Sequence, residues 1–242
     1  MRKLAIFDLD GTLFRWQLYH ELVFEFKNRG LFDDTTAAKL ENALLEWQAK
    51  RRSWYDYEME IINAFEPVIK NLDPNIYDVA VKTVVKQSGH KTYAYTMKLL
   101  KKLQKEGYFT LAISGSQQEI AESFAQQYGF DDCIGALYER DETGFTGAII
   151  RRVPGRKREI VEEYIASHPD ITLNDSIAIG DSDGDISLLE AVSNPIAFNP
   201  SHDLMEVAQE KGWTVIIERK DMAYTLKRNS DGLYILEKAE QL

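Results

Sequence analysis

Hydrophobic residues follow two rhythms along the chain. Leu4-Ala5-Ile6-Phe7 is an unbroken apolar run, too short for a helix and suited to a strand buried on both faces. Over residues 14–90 the spacing is helical. Leu18, Leu22 and Phe26 step by four. Leu40, Leu44 and Trp47 step by four and three, as do Met59, Ile62, Phe65 and Ile69. Each set predicts an amphipathic helix. Asp73-Pro74 predicts a helix start, with Asp as N-cap and Pro at the first helical position. Roughly four helices result, an all-α insertion of about 75 residues.

From Lys91 onward strands and helices alternate. Helices are expected at 92–106 (closed by Gly107), 117–128, 157–168 and 186–192. A further helix, capped by Asn199-Pro200-Ser201, runs to Lys211. Strands are expected at 109–113, 177–179, 195–198 and 214–217. Residues 134–139 and 145–150 read as a hairpin around Thr143-Gly144, and 224–226 with 233–236 as a terminal hairpin. This alternation predicts an α/β fold: a Rossmann-like, mostly parallel sheet with helices on both faces.

Composition narrows the class. The 242 residues are 44% hydrophobic and 28% charged, enough for one domain plus an insertion. A net charge of −10 argues against a general nucleic-acid or anionic-membrane surface. Cys133 is the single cysteine, which rules out an intrachain disulfide and fits a reducing compartment. No signal peptide and no membrane span are read, so the expectation is a cytoplasmic protein.

Candidate chemistry sits at strand ends. Asp8 and Asp10 follow the first apolar run, two residues apart, and Gly11 lets the chain turn. Two such carboxylates suit a hard cation, or a solvated Asp-x-Asp-Gly turn. Ser114 ends another strand, followed by backbone amides at an expected helix start, a suitable place for phosphate. Lys157 supplies a point charge, and Asp181 and Asp185 supply more oxygen ligands. Asp183 reads as solvated, Arg51-Arg52 as a solvated helix face and His20 as structural. The aromatics of the insertion, among them Trp16, Tyr19, Trp47, Trp54 and Tyr57, read chiefly as bundle core. A few of them are available to line a pocket around an alkyl or ammonium group.

These four elements, in this order, resemble the haloacid dehalogenase-like (HAD) superfamily. Asp8-Leu9-Asp10-Gly11-Thr12-Leu13 is similar to its first motif, Ser114-Gly115 to the second, Lys157 with Ile160 and Val161 to the third, and Gly180-Asp181-Ser182-x-x-Asp185 with Leu188-Leu189 to the fourth. Gly144-Phe145-Thr146-Gly147, Phe198-Asn199-Pro200 and Gly212-Trp213 are similar to the phosphoserine phosphatase-like subgroup. A helical insertion after the first motif looks like the C1 cap type. The resemblance implies a cap at 16–88 inserted into an α/β core of 1–15 and 89–242.

It also implies a chemistry. Asp8 would attack the phosphorus of a small phosphomonoester and become an aspartyl-phosphate. Asp10 would act as acid and then base. Mg²⁺ would sit on Asp8, the Asp10 backbone carbonyl and Asp181, with Asp185 in support. Asp8, Asp10, Gly11, Ser114, Gly115 and Lys157 would surround the phosphoryl group. The carboxylate at Asp10 favours phosphatase or phosphomutase chemistry over dehalogenation. A phosphotransferase of the same family, or a silent phospho-ligand binding module, are the alternatives. Gly11 stands where phosphoserine phosphatases usually have Ser, so phosphoserine specificity is not carried over. The substrate stays open among phosphoserine, phosphoethanolamine, phosphocholine, histidinol phosphate and sugar phosphates.

Overall fold

The computed structural model describes residues 1–70, 72–142 and 144–242. Thr143 of the expected Thr143-Gly144 turn lies outside the described residues. The first strand, β1 (Arg2–Asp8), is the apolar run with one or two polar residues at each end, and Leu4 to Phe7 are fully buried. Its alternating side chains feed two cores: Ala5 and Phe7 point to one face, Leu4 and Ile6 to the other.

Four helices follow: α1 (Leu18–Asn28), α2 (Asp34–Gln48), α3 (Trp54–Ile69) and α4 (Pro74–Ser88). Asp33 and Ser53 cap α2 and α3 by accepting from the amides of Thr36 and Asp56. Asp73 caps α4, with Pro74 in its first turn. On α3 the buried residues are Tyr57, Ile61, Ala64, Phe65 and Ile69, whereas Met59 and Ile62 are half-buried. Phe65 and Ile69 are thus buried as expected, while in the first half of the helix Tyr57 and Ile61 take the inner places, with the Tyr57 ring stacked on Trp47.

The remaining elements are α5 (Ala94–Lys105), β2 (Phe109–Gln117), α6 (Gln118–Gln127), β3 (Asp132–Asp141), β4 (Gly144–Arg151), α7 (Lys157–Ser167), β5 (Ile171–Gly180), α8 (Ile186–Leu189), β6 (Asn194–Phe198), α9 (His202–Lys211), β7 (Thr214–Arg219), β8 (Met222–Arg228) and β9 (Tyr234–Gln241). The strands form one sheet in the order β4-β3-β2-β1-β5-β6-β7-β8-β9. The inner pairs from β3 to β7 are parallel; the pairs involving β4, β8 and β9 are antiparallel. Leu100 and Leu103 of α5 and Ile120 and Phe124 of α6 cover one face. Ile160 and Val161 of α7, Leu188 and Leu189 of α8 and Leu204 of α9 cover the other. Each such buried side chain contributes about 1.5–3 kcal/mol. Among the described residues, no helix is long and apolar enough to cross a membrane.

Several expected boundaries differ, three of them in the parallel part of the fold. β5 starts at Ile171, six residues before the expected strand. Its pairing with β1 jumps from Lys3↔Thr172 to Ala5↔Ile177, and Leu173-Asn174-Asp175-Ser176 between them carry no period for a sequence reading to detect. β2 runs on to Gln117, so Ser114 and Gly115 lie in extended chain and the helix begins at Gln118. The expected 186–192 helix stops at Leu189.

Candidate active site

The chain leaves β1 for β2 on one side and later returns to β5 on the other. That reversal makes a crevice at the carboxyl ends of the central strands. Asp8 ends β1, Ser114 lies near the end of β2, and Asp181 follows β5 directly. Lys157 is the first residue of α7, whose apolar face packs on the sheet and directs the lysine inward.

Lys157 bridges two acids. Its Nζ donates to Asp8 Oδ1 at 2.6 Å and to Asp185 Oδ1 at 2.5 Å, and all three side chains are almost fully buried. Burial alone would lower the ammonium pKa, but the charges of Asp185 and Asp8 outweigh it and raise it. Asp8 is held well above the ordinary carboxylate range by burial first and by the Asp185 charge second, with Lys157 opposing. Asp8 Oδ2 is buried and has no hydrogen-bond partner.

Asp185 Oδ2 accepts from the amides of Asp181 and Ser182 at 3.1 Å each and from Ser182 Oγ at 3.2 Å. This carboxylate therefore shapes the loop after β5 as well as holding the lysine. A Cβ at Gly180 would lie 2.5 Å from Asp185 Cβ, so the approach needs glycine. Asp181 Oδ1 accepts from Thr12 Oγ1 at 3.0 Å. Burial, then the Asp185 charge, push Asp181 up to about 7. Gly11 has φ +85°, and a Cβ there would stand 2.3 Å from Asp181 Oδ2. The turn after β1 is thus left-handed and closely packed at once, which glycine alone accommodates.

Asp10 faces another way. Its Oδ1 accepts from the Leu18 amide at 2.5 Å. Its Oδ2 accepts from Ser114 Oγ and, at 2.9 Å, from Ser116 Oγ. Burial raises its pKa, and these donors pull against that. The Asp10 side chain is therefore not part of the acidic cluster. Asp8, Asp181 and Asp185 each offer a carboxylate oxygen, all within 4.8 Å of one another. Three carboxylates gathered this closely are hard anionic ligands, and the set fits a divalent cation.

Of the remaining candidates, Gly115 would meet only Pro154 Cγ at 3.5 Å if it gained a Cβ, an ordinary contact. Asp183 is exposed. Arg52 pairs with Glu46 and Glu60. His20 is buried among Trp16, Trp54 and Tyr57, with its pKa lowered by burial to about 3, so it is a neutral core histidine. Three contributors were not singled out from the sequence. Thr12 and Ser116 had a signal, being hydroxyls inside the two strand-end motifs. Glu58 had none: it is one acid among many on an amphipathic helix. It is half-buried on α3, and its pKa is raised by burial and then by the charges of Asp183 and Asp10.

Fold and cluster define the class, an α/β protein with an acidic, lysine-bridged centre at the switch point of a parallel sheet. A family model described as haloacid dehalogenase-like hydrolase matches residues 5–190, and the chain belongs to that family. It is similar to a histidinol-phosphatase of Neisseria meningitidis serogroup C, 25% identical over 89% of this chain and 99% of the relative. A phosphoserine phosphatase of Methanocaldococcus jannaschii is 25% identical over 93% of this chain and 97% of its own length. Among solved structures, a Bordetella pertussis protein of unknown function superposes with TM-score 0.73 at 22% identity, covering 90% of this chain and 99% of the other.

Proposed function

We propose that the protein is a Mg²⁺-dependent phosphatase that hydrolyses a small phosphomonoester through an aspartyl-phosphate on Asp8. Asp8 carries this reading. Lys157 fixes one of its oxygens, and the other is buried, unpartnered and available to a phosphorus atom. Asp8 Oδ2 bonds to phosphorus while the ester P–O bond breaks, and Asp10 gives its proton to the departing alkoxide oxygen. Water then attacks the phosphorus, its proton passes to Asp10, and the Asp8 carboxylate is released. Ser114 and the amides after it hold phosphoryl oxygens, and Lys157 offsets their charge.

Asp8, Asp181 and Asp185, with the Asp10 backbone carbonyl, are the residues that would hold Mg²⁺. Bound there, the ion supplies positive charge to the transferring phosphoryl group.

Residues 16–88 serve as the cap and residues 1–15 and 89–242 as the core. In support, the two connecting segments lie side by side: Arg15 N donates to Lys91 O at 2.8 Å and Tyr93 N to Leu13 O at 3.0 Å. Histidinol phosphate and phosphoserine, the esters named in the relatives, both carry an amine. We assign this chain an amine-bearing ester too, with Glu58 as the carboxylate that meets the ammonium group. The test is phosphate release from a panel of phosphomonoesters, with Mg²⁺ and with chelator, beside Asp8→Asn. Release that needs both the metal and Asp8 is expected. Unchanged hydrolysis by Asp8→Asn would overturn the mechanism.

A further inference from the structure

The first turn of α1 is capped in an unusual way. Gln17 occupies the N-cap position but its side chain makes no capping bond. A helix start leaves several amides without intrahelical partners. Here two of them are satisfied by residues of the active site. Leu18 N–H donates to Asp10 Oδ1 at 2.5 Å, and Tyr19 N–H donates to Ser116 Oγ at 3.0 Å. The Ser116 hydroxyl donates its single proton to Asp10 Oδ2 at 2.9 Å. Ser116 is thus used as donor and acceptor at once, which fixes its rotamer. It is 2% exposed, and the following residue, Gln117, is still paired with β3.

Ser114 also donates to Asp10 Oδ2 and accepts from the Ser116 amide at 2.9 Å. When Ser114 turns to a phosphoryl oxygen, Ser116 and the Leu18 amide are the donors left on Asp10. We infer that Ser116 is a positioning residue: with the first turn of α1, it clamps the Asp10 carboxylate so that its proton is aimed at the leaving oxygen. Ser116 itself touches no substrate. Because α1 opens the helical segment, the clamp makes the aim of Asp10 depend on where that segment sits. This inference rests on the acid–base role proposed for Asp10.

Leaving-group dependence tests it. Asp10 matters for bond cleavage only when the departing oxygen needs a proton. An alkyl phosphomonoester needs one; 2,4-dinitrophenyl phosphate, whose phenolate departs unprotonated, does not. Positioned proton transfer contributes about 10²–10⁴-fold, so Ser116→Ala is expected to lower kcat/KM for the alkyl ester by about 10–100-fold. For the dinitrophenyl ester kcat/KM, which ends at leaving-group departure, changes by less than about threefold on the same grounds. Ser116→Thr, which keeps the hydroxyl, restores the alkyl rate. If Ser116→Ala does not fold, Ser116→Cys, close in size and a weak donor, is compared with wild type in the same two assays. Equal losses for both esters, or no loss for either, overturn the inference and leave the phosphatase reading intact. Absence of Asp8-dependent hydrolysis in wild type overturns both.

Discussion

Lys157→Met removes the ammonium that bridges Asp8 and Asp185 while keeping most of the side chain's apolar stem. In the folded protein Nζ lies 2.6 and 2.5 Å from the two carboxylates, and its side chain is 7% exposed. Removing one partner of a buried ion pair costs about 3–5 kcal/mol, a large share of a total stability of about 5–15 kcal/mol. At about 2–4 °C per kcal/mol for a chain of this length, the metal-free variant melts roughly 6–20 °C lower near pH 8. The loss depends on pH. Asp8 is raised above its unfolded value by burial and then by Asp185. Such a group stabilises the fold below its unfolded pKa and loses that contribution as pH rises through the folded value. Protonating the cluster therefore substitutes for the missing ammonium, and the gap to wild type narrows at about pH 5.5. Thermal unfolding of both proteins in chelator at the two pH values reads this out. A drop of the same size at both pH values, or no drop, would refute the coupling between Lys157 and the acids. Phosphate release in the variant is expected to fall by at least about 10²-fold, since the proposed mechanism also uses the lysine to offset charge on the phosphoryl group.

Other consequences follow from the same geometry. Gly11→Ala forces a left-handed φ of +85° on a residue with a Cβ and drives that Cβ to 2.3 Å from Asp181 Oδ2. It is expected to cost at least about 1–2 kcal/mol in stability, and calorimetric titration should show weakened Mg²⁺ binding. Burial and then the Asp185 charge push the Asp181 carboxyl up to about 7. Its protonated form stabilises the metal-free fold below the unfolded carboxylate pKa, and this is lost as pH rises through about 7. Protons thus compete with metal, so saturating Mg²⁺ raises the melting temperature more near pH 8 than near pH 5; an equal rise would count against Asp181 as a ligand. Glu58→Gln raises KM roughly tenfold for amine-bearing esters, the worth of one charge-assisted hydrogen bond, and leaves esters without an amine unchanged. Steady-state kinetics on a matched pair of substrates separates the two.

Local pattern determined much of this protein. Leu4-Ala5-Ile6-Phe7 is apolar at every position because the strand is covered on both faces, and all four side chains are fully buried. Asp73-Pro74 started a helix through its own side chain and ring. The strands and helices after Lys91 came in the expected order because each period of two or of 3.6 is written within a dozen residues. The first half of β5 was not legible, since Ile171 and Thr172 join the strand through pairing with Arg2 and Lys3 and the residues between them and Ile177 carry no period of their own. On α3 the pattern placed Phe65 and Ile69 correctly, but the inner positions of its first half fell to Tyr57 and Ile61, where Tyr57 packs against Trp47 of another helix.

Asp8, Asp10, Ser114 and Asp181 were legible as residue types at strand ends, and Lys157 and Asp185 as residue types at helix starts. Their partnerships were not. Ser114 meets Asp10 across 104 positions of chain, Lys157 meets Asp8 across 149, and Thr12 meets Asp181 across 169. Such pairs are set by the strand order β2-β1-β5, which puts three strand ends side by side. Tertiary structure alone decided that Lys157 bridges Asp8 to Asp185 and that Asp10 turns away to cap α1 at Leu18, with Ser116 beside it at Tyr19. A carboxylate's direction depends on which donors the fold brings to it, and those donors lie far away along the chain.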